Sequence, residues 1–370
     1  MKMRLLFPVL AGTLVVVFLA GCSGSKKPAA AAAIDWSKTD FKGEELNLLT
    51  WEMYADPLFV KPFEEKYNCK INATFFASGD DLLAKLKAGG GKSYDIISPS
   101  GDMAGYLVQY GLIAPVDVSH ISGWKDIPDV FKLDDMVKDG QIHGVPYLWG
   151  PDYIMYNKDK LSPIKSWNEL WEDRFKGRIS LHDDVSNIYM IGQMLGLDKT
   201  DKTALYNMSG DNLKYAQGEL SRLNASVRKY WSDGGELEDL FVNGEIDLGV
   251  GWPSTLKDLQ DHGLNLDWCI PEEGCTGWFD RLMIVAGSQH EQLAALWIDW
   301  CTSPEGEALG SIATTFSVSN PKAAAFMDED QRKVAMVDEM YDLFEDINFW
   351  SYVENREAYN DIWTAVKTTK

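Results

Sequence analysis

Leu46-Asn47-Leu48-Leu49-Thr50-Trp51, Pro57 to Tyr67, Ile71 to Phe76, Ser78 to Leu86 and Tyr94-Asp95-Ile96-Ile97-Ser98 follow one another with two alternating kinds of pattern. The first, third and fifth are short apolar runs that read as strands. Pro57 to Tyr67 instead sets Leu58, Phe59, Pro62, Phe63 and Tyr67 on or near one helical face. Ser78-Gly79-Asp80-Asp81 is a serine followed three residues on by an acid, a capping pattern that starts a helix at Ser78. Strands alternating with helices imply an α/β fold with a parallel sheet covered on both faces. Ligands of such sheets sit beyond the carboxyl ends of the strands, where Trp51, Tyr54 and Ser100 fall.

At 370 residues the chain exceeds the size at which one core keeps growing, so two domains are expected. Val145 to Gly150, continuing through Tyr153 to Tyr156, reads as a strand that crosses from the first into the second. The strand Arg178 to Leu181 runs into His182-Asp183-Asp184, placing Asp184 at another strand end. Met190 to Leu195 and Leu213 to Tyr230 read as helices, Leu282 to Ala286 as the return crossing, and Gln289 to Cys301 as a helix. The expected organisation is residues 43–150 with 283–325 in one domain, 151–282 in the other, and closing helices over 326–370.

Residues 245–286 carry the candidate site. Two strand-like runs end in Trp252, Trp278 and Asp280, flanking a hairpin-like connection, and Gly249 and Gly251 interrupt the first run. Glycine inside a strand marks a bulge, or a close approach by a ligand or another backbone. An indole face beside a carboxylate suits an alkylammonium: the ring quadrupole attracts the cation and the carboxylate offsets its lost hydration.

Residues 1–21 have the basic start, apolar run and small-residue end of a signal peptide, and Leu19-Ala20-Gly21-Cys22 resembles a bacterial lipobox. That implies cleavage before Cys22 and its lipidation, with residues 22–42 as a flexible tether. The formal charge is −21, and loss of Lys2 and Arg4 takes it to −23. A charge so negative argues against nucleic acid and favours cationic partners. Of the four other cysteines, Cys269 and Cys275 bracket a turn-like loop, so the spacing is compatible with a local disulfide or with free thiols. The five histidines lack metal-ligand spacing, and neither a Gly-x-Ser-x-Gly elbow nor a dinucleotide fingerprint is present, so neither a metal nor a cofactor is expected. Gly91-Lys92-Ser93 lacks the first glycine of a phosphate loop, since position 86 is Leu86.

The order of these pieces resembles the spermidine/putrescine-binding family of solute-binding proteins that serve ABC importers. The resemblance runs through Thr50-Trp51-Glu52-Met53-Tyr54, Tyr94 to Ser100, Pro146 to Gly150, Ser166 to Trp171, Asp183-Asp184, Leu248 to Trp252 and Gly277 to Asp280. It implies a two-lobed periplasmic-binding-protein fold of type II, each lobe a mostly parallel sheet flanked by helices, closing on a ligand. Trp51, Tyr54 and Ser100 would line the first lobe, while Trp252, Trp278, Asp280 and Asp184 would supply aromatic walls and carboxylates for ammonium groups. Three further residues expected to bind ligand depart from the family pattern: Asn187 stands where a second acid is common, Asp102 where an aromatic is, and Phe316 where a tyrosine is. The implied protein is a non-enzymatic monomer in the bacterial cell envelope, periplasmic or outward-facing. Its partners would be a polyamine-like cation, permease subunits, and the membrane through Cys22. Competing readings keep the binding protein but give it a monoamine, an amino-acid derivative or a neutral sugar, or make the chain a lipid-anchored glycoside hydrolase.

Overall fold

A computed structural model describes residues 34–339, 342–344 and 347–369. The signal-like segment, Cys22 and the first part of the tether lie outside the described residues. The local readings at the start of the chain match what forms. Helix Pro57–Tyr67 begins where the Asp56 carboxylate accepts from the Leu58 amide at 2.7 Å, and ends at Asn68 in the left-handed region (φ 52°). Its buried face, Phe59 and Phe63, packs on Trp297. Ser78 caps helix Gly79–Gly89 by accepting from the Asp81 amide at 3.2 Å, while the Asp81 carboxylate reaches back to the Ala77 amide.

Two large sheets carry the rest. In the first, the strands lie in the order Ser317–Val318, Val145–Pro151, Thr276–Ile284, Ile96–Ile97, Glu45–Thr50 and Lys70–Phe75, with Asn348–Phe349 also pairing with Thr276–Ile284. In the second the order is Leu266–Cys269, Tyr153–Asn157, Leu248–Gly251, Ile179–His182 and Val227–Trp231. Helices flank both sheets. They are mixed where mostly parallel strands were expected. Val145–Pro151 leaves the first sheet and Thr276–Ile284 returns to it, so the two crossing strands run antiparallel, with Gly277 opposite Pro151 and Leu282 opposite Val145.

Four expectations are corrected and one open alternative is decided. The return crossing lies between Cys269 and Thr276, before Leu282, because Thr276–Ile284 already pairs within the first sheet. The span read as one helix to Tyr230 divides into helix Gly210–Leu223 and strand Val227–Trp231, whose Val227 and Trp231 are buried while Arg228 and Lys229 face solvent. The glycines of strand Leu248–Gly251 serve core packing: a Cβ on Gly249 would lie 3.0 Å from Leu237, and one on Gly251 2.9 Å from Met155. Leu248–Gly251 is followed by helix Pro253–Asp261 rather than by a hairpin. Finally, no disulfide joins Cys269 and Cys275: the first ends a strand of the second sheet, and the second is buried at the start of Thr276–Ile284 in the first.

Aromatic residues of the tail have the helical spacing read from sequence. Helix Arg356–Thr368 buries Tyr359, Trp363 and Val366. It rests on the second-sheet side: Asn224 donates to the Val366 carbonyl at 2.6 Å, and the Trp363 ring lies 4.9 Å from Tyr230.

Candidate functional site

A cleft of about 680 Å³ opens among residues at the ends of strands and helices. Trp51 follows Glu45–Thr50, Ser100 precedes helix Gly101–Gln109, Trp252 follows Leu248–Gly251, and Phe316 precedes Ser317–Val318. Trp51 and Trp252 belong to different sheets, yet their rings meet edge-on at 6.3 Å. Opposite them Trp278 meets Phe316 at 4.3 Å. Indole and phenyl rings thus supply the apolar part of the walls.

Asp280 is the polar centre. The pairing of Thr276–Ile284 with Val145–Pro151 shifts register between Phe279 and Arg281, and such a bulge re-aims a side chain. Asp280 thereby bridges to Ser100 while Arg281, wholly buried, pairs with Asp135 at 2.7 Å. The Asp280 carboxylate is 1% exposed; Ser100 Oγ donates to Oδ1 at 2.6 Å and Tyr54 OH to Oδ2 at 2.7 Å. Burial pushes its pKa up to about 7 against the downward pull of those two donors and of the Arg281 charge. The Trp51 N–H adds a weaker pull from outside hydrogen-bond geometry. Both donors are neutral, so among the described residues the ionised carboxylate has no hydrogen-bonded cation.

Among the described residues, seven carboxylates line the cleft against one ammonium, Lys85. Lys85 is already held by Asp81 at 2.5 Å and by the Phe75 carbonyl. From the second-sheet side come Asp233, Glu238 and Asp258. Partial burial raises the pKa of both Glu238 and Asp258, and mutual repulsion adds to it at Glu238. The sequence reading missed these acids because charge on an amphipathic helix usually marks a solvated face. Trp350, also in the wall, follows the two-residue strand Asn348–Phe349, too short to leave a periodic signal.

Of the ten residues expected to bind ligand, Trp51, Ser100, Trp252, Trp278, Asp280 and Phe316 line the cleft. Tyr54 stands behind Asp280 as its donor. Asp102, Asp184 and Asn187 do not reach the cleft. Asp102 pairs with Arg356 at 2.8 Å, and Asp184 accepts from the Ser186 amide at 2.8 Å. Asn187 spends its amide on the carbonyls of His182 and Asp184, closing the turn before helix Ser186–Met194. These three are therefore structural in this arrangement, each satisfied by the protein itself.

Residues 59–337 match the model of the bacterial extracellular solute-binding proteins. The spermidine/putrescine-binding periplasmic protein of Escherichia coli is 26% identical over 286 residues, covering 76% of this chain and 78% of that one. Among solved structures, the TpPotD lipoprotein of Treponema pallidum superposes with a TM-score of 0.74 at 23% identity, covering 87% of this chain and 99% of that one. The Agrobacterium protein AgtB in complex with agropinic acid superposes at 0.67 with 19% identity, covering 88% and 97%. The two-lobed fold is thus shared by proteins with different ligands. Since the match spans well over half of its length, this chain belongs to the bacterial extracellular solute-binding proteins, the substrate-binding components of ABC importers.

Proposed function

We propose that the chain captures a di- or polyamine of the putrescine or spermidine kind in this cleft and delivers it to an importer's permease. The observation that carries the reading is Asp280: a buried carboxylate with two neutral donors, no bonded cation, and indole walls around it. An ammonium seated there would ionise it and stack on Trp51, Trp252 or Trp278. The E. coli relative named for spermidine and putrescine supports the class. The acid excess in the lining disfavours a neutral sugar, and the kinship to transport binding proteins disfavours a hydrolase. An amino-acid derivative is a second reading. It is favoured by helix Pro253–Asp261, which begins without a side-chain cap and whose Ser254 and Thr255 line the cleft, ready for a carboxylate.

The lobes, one around each sheet, would close on a ligand touching both, since such a ligand stabilises only the closed state. A lipidated Cys22 would hold a monomer at the envelope membrane, with residues up to about 42 as tether. Incorporation of labelled palmitate by the full chain in a bacterial host, lost in C22A, tests the anchor.

The cleft itself is tested by thermal unfolding of the chain starting at Ser23, with putrescine, spermidine, γ-aminobutyrate and maltose. Ligand at about a thousand times its dissociation constant adds roughly 4 kcal/mol of stability. A shift with an amine and none with maltose is the expected outcome. Absence of any amine shift, on protein freed of carried-over ligand, would sink the amine reading.

A further inference from the structure

Trp350 lines the cleft, and its ring lies 6.2 Å from that of Tyr189. Beyond it lies a second group of acids. Tyr189 OH faces the Asp102 carboxylate at 3.4 Å, and the charges of Asp102 and Asp184 both act on Asp152, whose pKa burial raises to about 8. Burial likewise raises both Asp102 and Asp184. A group of acids this close together invites a cation, and the protein supplies one.

That cation is Arg356, 6% exposed. Its Nη1 donates to Asp102 at 2.8 Å, and its Nε and Nη2 grip the two oxygens of Asp80 at 3.1 Å each. Its charge also acts on Asp184, opposing the effect of burial there. Arg356 opens helix Arg356–Thr368, which is fixed farther along by Trp363 and Lys367 on Asp183 at 2.9 and 2.6 Å. The guanidinium is therefore held in place by packing as well as by its partners.

We propose that Arg356 sets the charge of the ligand: its guanidinium takes the place of a ligand ammonium at Asp102 and Asp184, leaving Asp280 as the buried carboxylate that a ligand cation neutralises. The inference rests on the amine reading of the cleft and narrows it. A preferred ligand has one ammonium for the interior and leaves its other end at the acidic mouth near Glu238 and Asp258. Butylamine and putrescine meet that demand. The extra ammonium of spermidine finds Asp102 already paired with Arg356.

The test is titration calorimetry of butylamine, putrescine and spermidine, at one ionic strength, against the wild type, R356Q and R356K. The wild type is expected to bind spermidine no better than putrescine. R356Q should raise the spermidine-to-putrescine affinity ratio by about tenfold or more, as an acidic group loses its internal cation, while R356K keeps it within about threefold. A purely structural arginine would weaken all three amines in parallel, and an unchanged ratio in R356Q overturns the proposal. Should R356Q fail to fold, R356Q/D102N removes both charges of the pair, leaves Asp184 without its cation, and is read by the same ratio. If the wild type binds none of the amines, the amine reading falls and the inference with it; if it binds them and the ratio stays fixed, the inference alone falls.

Discussion

Asp280 and Asp102 are both buried acids, yet they are satisfied in opposite ways. Asp280 accepts from a serine and a tyrosine and faces an aromatic cleft; Asp102 accepts from an arginine and faces the interior. The first carries an electrostatic demand that a solute can meet, whereas the second is met at folding. A buried carboxylate is thus a candidate ligand group only when its cation is missing. Glu307 is a third variant. It is wholly buried and bonded to the Ser319 and Asn320 amides and the Ser319 hydroxyl, a load of donors that ties helix Pro304–Thr314 to the segment after it.

The largest effect should therefore fall on stability at Asp102 and on binding at Asp280. Asp102→Asn leaves Asp80 as the acid hydrogen-bonded to Arg356, and breaking a buried pair costs about 3 kcal/mol at the low end of its usual range. Chemical denaturation should show that loss, with amine affinity of the folded protein nearly unchanged. Asp280→Asn should do the reverse. Its stability holds, but the amine loses its carboxylate, and affinity falls tenfold or more, about 1.4 kcal/mol. Equal behaviour of the two variants in both assays would erase the distinction.

How much of this contrast was legible beforehand follows from the distances along the chain. Trp51, Ser100 and Trp252 were legible because the strand-and-helix pattern fixes where strands end, and ends are where ligands sit. Asp280 was legible as a carboxylate close to a tryptophan; its aim into the cleft depends on a register shift that no local pattern announces. Asp102 and Asp184 were misread because the cation that answers them, Arg356, lies 254 residues beyond Asp102. Two domains were expected from chain length and the two-lobed plan from the family resemblance, whereas the return crossing was placed too late. Leu282 to Ala286 is as apolar as a crossing should be, and only pairing with Val145–Pro151 reveals that the crossing has already happened.

Acidity provides a sharper cut. Asp280's pKa rises from 3.8 unfolded to about 7 folded, so between those values the native state holds the extra proton. Without ligand, this group's contribution to stability is fully present below about pH 3.8 and is lost as pH rises through 7. A cationic ligand reverses the preference by favouring the ionised form. Amine affinity measured by calorimetry should be flat above pH 7 and fall by up to about tenfold per unit below it, each binding event releasing a proton. The groups facing Asp280 are Ser100, Tyr54, Trp51 and Arg281, and burial pushes the Tyr54 phenol up, away from that window. A pH-independent affinity from 5 to 8 would mean that the amine does not contact Asp280.

The smallest effect belongs to the mouth. Glu238 and Asp258 line the cleft but remain partly solvated, and their raised pKa values follow from burial and, at Glu238, from the proximity of Asp258. Solvent and salt screen such charges, so Glu238→Gln should weaken amine binding by less than about threefold at physiological ionic strength. The loss should grow at low salt and appear mainly in the association rate, because a rim charge steers a cation more than it holds it. A neutral ligand would feel no such dependence. An affinity loss in Glu238→Gln as large as that in Asp280→Asn would shift the main cation site from the buried carboxylate to the mouth, and would make the aromatic floor a platform for the ligand's apolar stem.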